Sequence, residues 1–111
     1  MTIETALQGQ VGTVKVAGRM EHDQSPQFEA ACVQLVKQGA RHILADLSGL
    51  DYVSSMGIRA FLSVVKDREN AGAQLVLIGM SGFVRQVFDL TRLTPLFRTA
   101  DSVEAALAAL P

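Results

Sequence analysis

The chain has only one cysteine and no tryptophan among its 111 residues, and it has no strong imbalance of charge. The single cysteine, Cys32, excludes a disulfide within the chain and a metal cage built from thiolates, and it indicates a reducing compartment. With a formal net charge of −1, the protein has no overall field that would attract nucleic acid or an anionic membrane. Because aromatic residues make up only 5% of the sequence, we expect no stacking platform for single-stranded nucleic acid.

A long apolar run is missing as well. No stretch approaches the roughly 20 apolar residues that are needed to span a bilayer, so we expect no direct membrane insertion. Residues 1–5 lack the basic and then apolar regions of a secretory signal peptide. These absences predict a cytoplasmic protein with no nucleic-acid partner.

The residue constellations of small enzymes are also absent. His22 and His42 are far apart, and neither has a carboxylate at metal-ligand spacing, so a solvated or hydrogen-bonded structural role is the simpler interpretation of His42. No phosphate-binding loop and no dinucleotide-binding glycine turn occurs. Asp46 and Asp51 would suit magnesium in a phosphoryl-transfer receiver, but that class needs a lysine after a later strand, and residues 78–81 supply none. The sequence predicts no catalytic residue, no cofactor and no metal site.

What is present is the composition of a folded domain. Hydrophobic residues make up 49% of the chain and charged residues 19%, which are ordinary values for a globular protein. The length suits one compact unit, so we expect a single domain over residues 1–111.

Hydrophobic periodicity predicts an α/β fold with a mixed, mostly parallel sheet of about four to five strands and about four helices. The order is strand, strand and helix, followed by three strand–helix pairs, which favours one hairpin and then parallel crossovers. The predicted strands cover residues 3–7, 11–16, 41–47, 74–79 and 96–99. The predicted helices begin at Ser25, at Ser54 or Ser55, at Ser81 and at Asp101, each with a capping residue at its start.

The same patterns predict which side chains are buried. Cys32 lies on the apolar stripe of the first helix with Phe28 and Leu35, so we interpret it as a core residue. Residues 48–53 are predicted to form a loop and residues 66–70 a solvated helix end. The inner face of the third helix is predicted to contain Phe83, Val84, Val87 and Phe88.

The most informative segment runs from a buried strand to two adjacent serines, Ser54 and Ser55, at the start of a helix. One serine is enough to cap the free N–H groups there. The second hydroxyl, close to the small Gly57, is left as an accessible oxygen at the positive end of the helix dipole. A phosphate at this place would gain contact with free N–H groups. A plain helix cap is the alternative interpretation.

This segment resembles the signature of STAS domains, the family of anti-sigma factor antagonists. Their pattern is Asp-Leu-Ser, an apolar link, an aromatic residue, and then Asp/Ser-Ser-Ser/Thr/Ala-Gly-Leu. Here residues 46–48 read Asp-Leu-Ser, Tyr52 is the aromatic residue, and residues 54–58 read Ser-Ser-Met-Gly-Ile. Residues 18–21 resemble the family's Gly-x-Leu-Asp, and residues 74–79 match its fourth strand. Element order and length agree along the whole chain.

The resemblance implies that Ser55, two residues before the glycine, accepts a phosphate, with Ser54 as the second choice. In this family an anti-sigma factor with serine kinase activity is both the binding partner and the kinase, and a serine phosphatase reverses the modification. ATP and metal belong to those partners, so this chain needs no cofactor. Two positions depart from the family pattern: Ser54 replaces an acidic residue, and Met56 is bulkier than the usual Ser, Thr or Ala.

Topology predicts the surface that meets the partner. Met20, Met56 and Met80 each follow a strand, and loops after parallel strands gather at one edge of a sheet. We therefore expect these side chains to form a soft apolar patch around Ser55; chance placement with buried sulfurs is the alternative. The residues predicted to contact the partner are Met20, Glu21, Ser54, Met56, Gly57, Arg59 and Met80.

These features predict an anti-anti-sigma factor that binds an anti-sigma factor/serine kinase and is regulated by reversible serine phosphorylation. One alternative is a non-phosphorylated STAS subunit that packs on a membrane transporter ATPase. Another is a small enzyme of flavodoxin-like architecture, which would carry a bound nucleotide or flavin.

Overall fold

A computed structural model describes residues 1–80 and 82–111. Over these residues the chain forms a mixed five-stranded sheet with four α-helices, which confirms the predicted fold class. The strands are β1 (Thr2–Gln8), β2 (Val11–Met20), β3 (His42–Val53), β4 (Leu75–Ile78) and β5 (Arg98–Ala100). The helices are α1 (Ser25–Lys37), α2 (Ser55–Asn70), α3 (Gly82–Leu90) and α4 (Val103–Ala109), with a 3-10 turn at Thr94–Leu96. Ser81, the predicted cap of the third helix, lies outside the described residues.

The strand order in the sheet follows the chain, from β1 to β5. The first two strands are antiparallel and are joined by the two-residue turn Gly9–Gln10, in which Gly9 has a φ of +62°. Strands β2 to β5 are all parallel. Because parallel strands end at the same edge of a sheet, the ends of β2, β3 and β4 lie side by side, next to the start of α2.

The helices divide between the two faces of the sheet. The larger core cluster joins α1, α2 and α3 to one face, and a smaller cluster joins α4 to the other. Three phenylalanines connect the helices of the first face: the Phe28 and Phe61 rings are 4.7 Å apart, and the Phe61 and Phe88 rings are 6.0 Å apart. Since each comes from a different helix and is fully buried, they hold α1, α2 and α3 in fixed positions on the sheet.

Strands β2 and β3 are longer than predicted. Residues 48–53 were expected to form a loop, but β3 continues through them to Val53, and β2 continues to Met20. The two strands remain paired to their ends, with register shifts that accommodate the irregular stretch. Within the extended part of β3, Asp46 Oδ1 accepts hydrogen bonds from the Ser48 backbone N–H (3.0 Å) and hydroxyl (2.7 Å).

Two predicted helix caps are one residue off. Ser25 is the first residue of α1 rather than its cap, and its hydroxyl donates to the carbonyl of His22 (2.9 Å). At the last helix, Ser102 rather than Asp101 is the cap, because its side chain accepts from the Ala105 N–H (3.1 Å). Where two polar residues compete for a cap, backbone geometry decides which side chain reaches the free N–H.

Cys32 and His42 have the structural roles predicted for them. Cys32 is buried in the core, and its burial raises the pKa of the thiol to about 12, so the thiolate does not form near neutral pH. His42 accepts a hydrogen bond at Nδ1 from the Gln74 N–H (3.1 Å). Desolvation, helped by the nearby charges of Arg41 and Arg68, lowers the pKa of His42, which favours the neutral form that can accept this bond.

Arg68 is not part of a solvated helix end, as residues 66–70 were predicted to be. Its side chain is buried, and Nη1 donates to the carbonyl oxygen of Arg41 (3.0 Å) while Nη2 contacts Asp67 Oδ2 (2.8 Å). Arg41 in turn donates from Nη2 to the carbonyl of Gly72 (2.8 Å). These reciprocal bonds connect the end of α2 to the start of β3.

We expect Arg68→Met to lower the free energy of unfolding by about 1–3 kcal/mol, because it removes the donor of the part-buried hydrogen bond to the Arg41 carbonyl. Chemical denaturation monitored by circular dichroism measures the change. Lys66→Met, on the exposed side of the same helix, is the matched control and should stay within about 0.5 kcal/mol of the wild type. Equal midpoints for the two variants would show that the contact does not stabilise the fold.

Candidate functional site

The candidate site lies where β3 passes into α2. Ser54 is extended (φ −81°, ψ 169°), and its side chain caps the helix by accepting from the Gly57 N–H (3.1 Å). Its own backbone N–H donates to the carbonyl of Met20, the last residue of β2 (2.9 Å). Ser54 is therefore fixed from both sides, by the sheet and by the helix.

Ser55 is the first residue of α2 and is exposed. Within the described part of the chain, its hydroxyl makes no hydrogen bond to another residue. The two serines therefore divide the roles that the sequence left open: Ser54 is the cap, and Ser55 presents a free hydroxyl to solvent at the positive end of the helix.

Gly57 lets the first turn of α2 lie directly on the strand ends. A Cβ at this position would come within 2.7 Å of Val53 Cγ2 and 2.8 Å of Met20 Sδ. These separations are shorter than carbon and sulfur atoms tolerate, so any larger residue would push the helix away from the sheet or displace core side chains. The glycine thus sets the height of the serines above the sheet edge.

The predicted patch of three exposed methionines is wrong for two of its members. Met20 is 0% exposed and Met80 is 9% exposed, and both belong to the core cluster on the face of the sheet that α1, α2 and α3 cover. Met20 ends its strand pointing under α2, where Gly57 leaves room for its sulfur. Met56 is half-buried beside Ser55, with its sulfur 3.9 Å from Arg59 Nη1. The sequence correctly placed these residues near one edge, but it did not predict which way their side chains point.

The charges around Ser55 favour an anion. The first turn of α2 contains no acidic residue, and the exposed Arg59 lies one turn further along the helix. Glu21, at the neighbouring loop, is occupied by Arg19, whose Nε lies 2.8 Å from Glu21 Oε1. This hydrogen bond raises the pKa of Arg19 above its ordinary value. A negative charge on Ser55 would therefore meet a helix N-terminus without an opposing carboxylate in that turn.

Three residues missed by the sequence reasoning form a stack beside the site. The rings of Tyr52 and Phe83 lie nearly parallel with centroids 5.7 Å apart, and the Arg19 guanidinium is 4.1 Å from the centre of the Tyr52 ring. Phe83 was predicted to face the core but is 50% exposed. Val84 and Phe88, one turn apart on the same helix, are the residues of that predicted face that are fully buried, whereas Phe83 turns toward Tyr52.

Three other kinds of functional feature are a metal site, a membrane-spanning helix and a cavity. Residues 1–80 and 82–111 contain no group of three or more His, Cys, Asp or Glu side chains placed to hold a metal ion. None of the helices in these ranges is both long and apolar enough to cross a membrane. A cavity of about 540 Å³ lies at the far end of α2, against Glu69, Gln74 and Arg98.

The fold and the site together define a small α/β module that presents a serine hydroxyl on an open edge. A family model of the STAS domain matches residues 2–106, so the chain belongs to the STAS domain family. Its relatives include BtrV of Bordetella bronchiseptica, a protein assigned as an anti-sigma factor antagonist. The two are 40% identical over 83 residues, which cover 75% of this chain and 72% of BtrV.

Solved structures share the fold at low sequence identity. A Thermotoga maritima protein assigned as an anti-sigma factor antagonist superposes with a TM-score of 0.88 and 16% identity, over 97% of this chain and 93% of that one. The Bacillus cell fate determinant SpoIIAA, in its phosphorylated form, gives a TM-score of 0.75 and 19% identity, over 96% and 98% of the two chains.

We expect Ser54→Ala to lower the free energy of unfolding by about 0.5–2 kcal/mol, because it removes the helix cap. Ser55→Ala should change it by less than about 0.5 kcal/mol, because the Ser55 hydroxyl supports no other residue. Chemical denaturation of the two variants measures the difference, and each serves as the control for the other. A larger loss in Ser55→Ala than in Ser54→Ala would contradict this division of roles.

Proposed function

We propose that this chain is an anti-anti-sigma factor that binds an anti-sigma factor with serine kinase activity, and that phosphorylation of Ser55 ends this binding. The observation that carries the proposal is the division of roles at the start of α2. Ser54 is occupied as the helix cap, whereas Ser55 is exposed and its hydroxyl is free. A kinase can therefore modify Ser55 without disturbing the fold.

The surroundings of Ser55 suit a phosphate. A phosphoserine carries between one and two negative charges near neutral pH and brings strong acceptor oxygens. The first turn of α2 offers backbone N–H groups and no carboxylate, and Arg59 adds a cation nearby. SpoIIAA, which has the same fold, is known in a phosphorylated form, and this supports the view that the fold tolerates the modification.

The switch itself needs only electrostatics. If the partner covers Ser55, the added charge must be desolvated when the interface closes. A hundredfold loss of affinity corresponds to about 2.7 kcal/mol, and the desolvation of a phosphate that has no matching cation on the partner readily supplies it. No rearrangement of the sheet or helices is required, because the fixed contacts run through Ser54 and Gly57.

The remaining parts of the proposal follow from this role. The partner supplies ATP and the kinase machinery, and a serine phosphatase removes the phosphate. The chain itself acts in the cytoplasm as one domain over residues 1–111, without catalysis or a cofactor of its own. Its contacts with the partner come from the surface around Ser55, which includes Met56, Arg59 and Glu21.

Incubation with the cognate anti-sigma kinase and ATP, followed by intact-mass measurement, tests the acceptor. We expect one phosphoryl group on the wild type and on Ser54→Ala, and none on Ser55→Ala. If Ser54→Ala alone blocks the modification, Ser54 is the acceptor and the assignment is wrong. If no cognate kinase modifies the wild type, the non-phosphorylated subunit of a transporter ATPase becomes the better interpretation.

Met56 should contribute to partner binding, because it is the one of the three methionines predicted for this surface that is not buried. We expect Met56→Ala to weaken binding to the anti-sigma factor by about tenfold, since truncating a well-packed apolar contact costs more than about 1 kcal/mol. Isothermal titration calorimetry measures the affinity, and thermal unfolding checks that the variant is folded. Leu90→Ala, at an exposed leucine on α3, is the matched control. Equal affinity of Met56→Ala and the wild type would remove Met56 from the interface.

A further inference from the structure

The outer edge of β1 has few of the usual features that prevent strands from pairing with other chains, and Glu4 is its one charged residue. Such edges are commonly very short, charged, bulged or interrupted by proline. The opposite edge of this sheet, β5, is only three residues long and contains Arg98. In contrast, β1 pairs with β2 over all seven of its residues without a register shift and contains no lysine, arginine or proline.

The hairpin fixes which backbone groups point outward. Gln8 and Val11 flank the two-residue turn and form its closing pair, which is the hydrogen-bonded pair in hairpins of this kind. Because the bonding direction alternates along an antiparallel strand, the N–H and C=O groups of Ile3, Thr5 and Leu7 point away from β2. This edge is therefore a regular row of donors and acceptors.

The sequence of β1 is complementary to itself when a second copy runs antiparallel to it. Opposing Thr5 to Thr5 of the second copy is the one register that pairs all seven residues. This register places Ile3 across from Leu7, and Glu4, the single charged residue of the strand, across from Ala6 rather than across from itself. Aliphatic and threonine pairs of this kind stabilise sheets, whereas directly opposed like charges destabilise them.

Helix α1 lies beside this edge, and its flank turned away from α2 has no charged side chain. Helix α1 packs over β1 and β2 and contacts α2 on its other side, where Glu29 lines a small cavity shared with α2. At helical spacing, the flank turned away from α2 contains one alanine and three glutamines. These residues are Gln27, Ala31, Gln34 and Gln38. Two copies of α1 could therefore lie side by side above a joined sheet without repulsion.

We propose that two copies of this chain pair through β1, antiparallel and about a two-fold axis at Thr5, to form one continuous ten-stranded sheet. The pairing removes Leu7, which is 39% exposed, from water and uses the outward backbone groups on both chains. Because the strands run in opposite directions across the axis, the two Ser55 edges lie at opposite ends of the dimer. Self-association therefore leaves the phosphoacceptor edges open and does not depend on the proposed function.

Analytical ultracentrifugation over a range of concentrations tests the dimer. We expect a concentration-dependent dimer for the wild type. Thr5→Lys should raise its dissociation constant by about tenfold or more, because two lysines then face each other across the axis. Thr2→Lys is the matched control on the same strand and should dimerise as the wild type does, because Thr2 lies across from Gln8.

A cysteine placed on the axis tests the register. The Cα atoms of a hydrogen-bonded pair lie about 5.5 Å apart, within the range of a disulfide, so Thr5→Cys should form a covalent dimer on mild oxidation. Leu7→Cys should not, because its counterpart is four residues further along the strand, roughly 13 Å away. The native Cys32 does not compete, since it is buried and its pKa is raised to about 12. A wild type that stays monomeric at every concentration, equal cross-linking of the two cysteine variants, or a Thr5→Lys variant that dimerises normally would each overturn the proposal.

Discussion

The close contact between the first turn of α2 and the ends of β2 and β3 determines the geometry of the whole site. Gly57 lies against Val53 and Met20 with no room for a side-chain carbon. Ser54 is held at the same place by a bond from its backbone N–H to the Met20 carbonyl and by its cap on Gly57. With the helix start fixed in this way, the next residue, Ser55, has to point outward. The accessibility of its hydroxyl is thus a consequence of packing beneath it.

One end of α2 is held to the sheet by hydrogen bonds, and the other end presents an exposed serine. This separation suits a binding module. At the far end, Arg68 connects α2 to the start of β3 by donating to the Arg41 carbonyl. His42 accepts a hydrogen bond from the Gln74 N–H nearby. Between the ends, Phe61 anchors the helix to its neighbours through the rings of Phe28 and Phe88. A helix held at its far end and along its length presents its near end rigidly. A charge added there changes what can bind without changing the fold.

Much of the architecture was predictable because it depends on periodicity. The burial of Phe28, Cys32 and Leu35 follows from helical spacing, and the parallel sheet follows from alternating apolar strands and helices. The start of α2 was also located, because adjacent serines before a helical pattern are a strong local signal. The extension of β3 to Val53 was not predictable, because its irregular stretch becomes a strand only by pairing with β2 through register shifts.

The sequence by itself determined the order of the elements, the position of the two serines at a helix start, and the membership of the STAS domain family that its motif indicated. These features depend on local pattern. Only the tertiary structure decided which side chains are accessible: Met20 and Met80 are buried, Phe83 stacks on Tyr52 at the surface, and Arg68 is enclosed. The physical reason is that burial depends on which neighbouring elements cover a residue, and that is a property of the packed sheet and helices rather than of any one segment. For the same reason the division between Ser54 as cap and Ser55 as free hydroxyl became visible only once α2 lay on the strand ends.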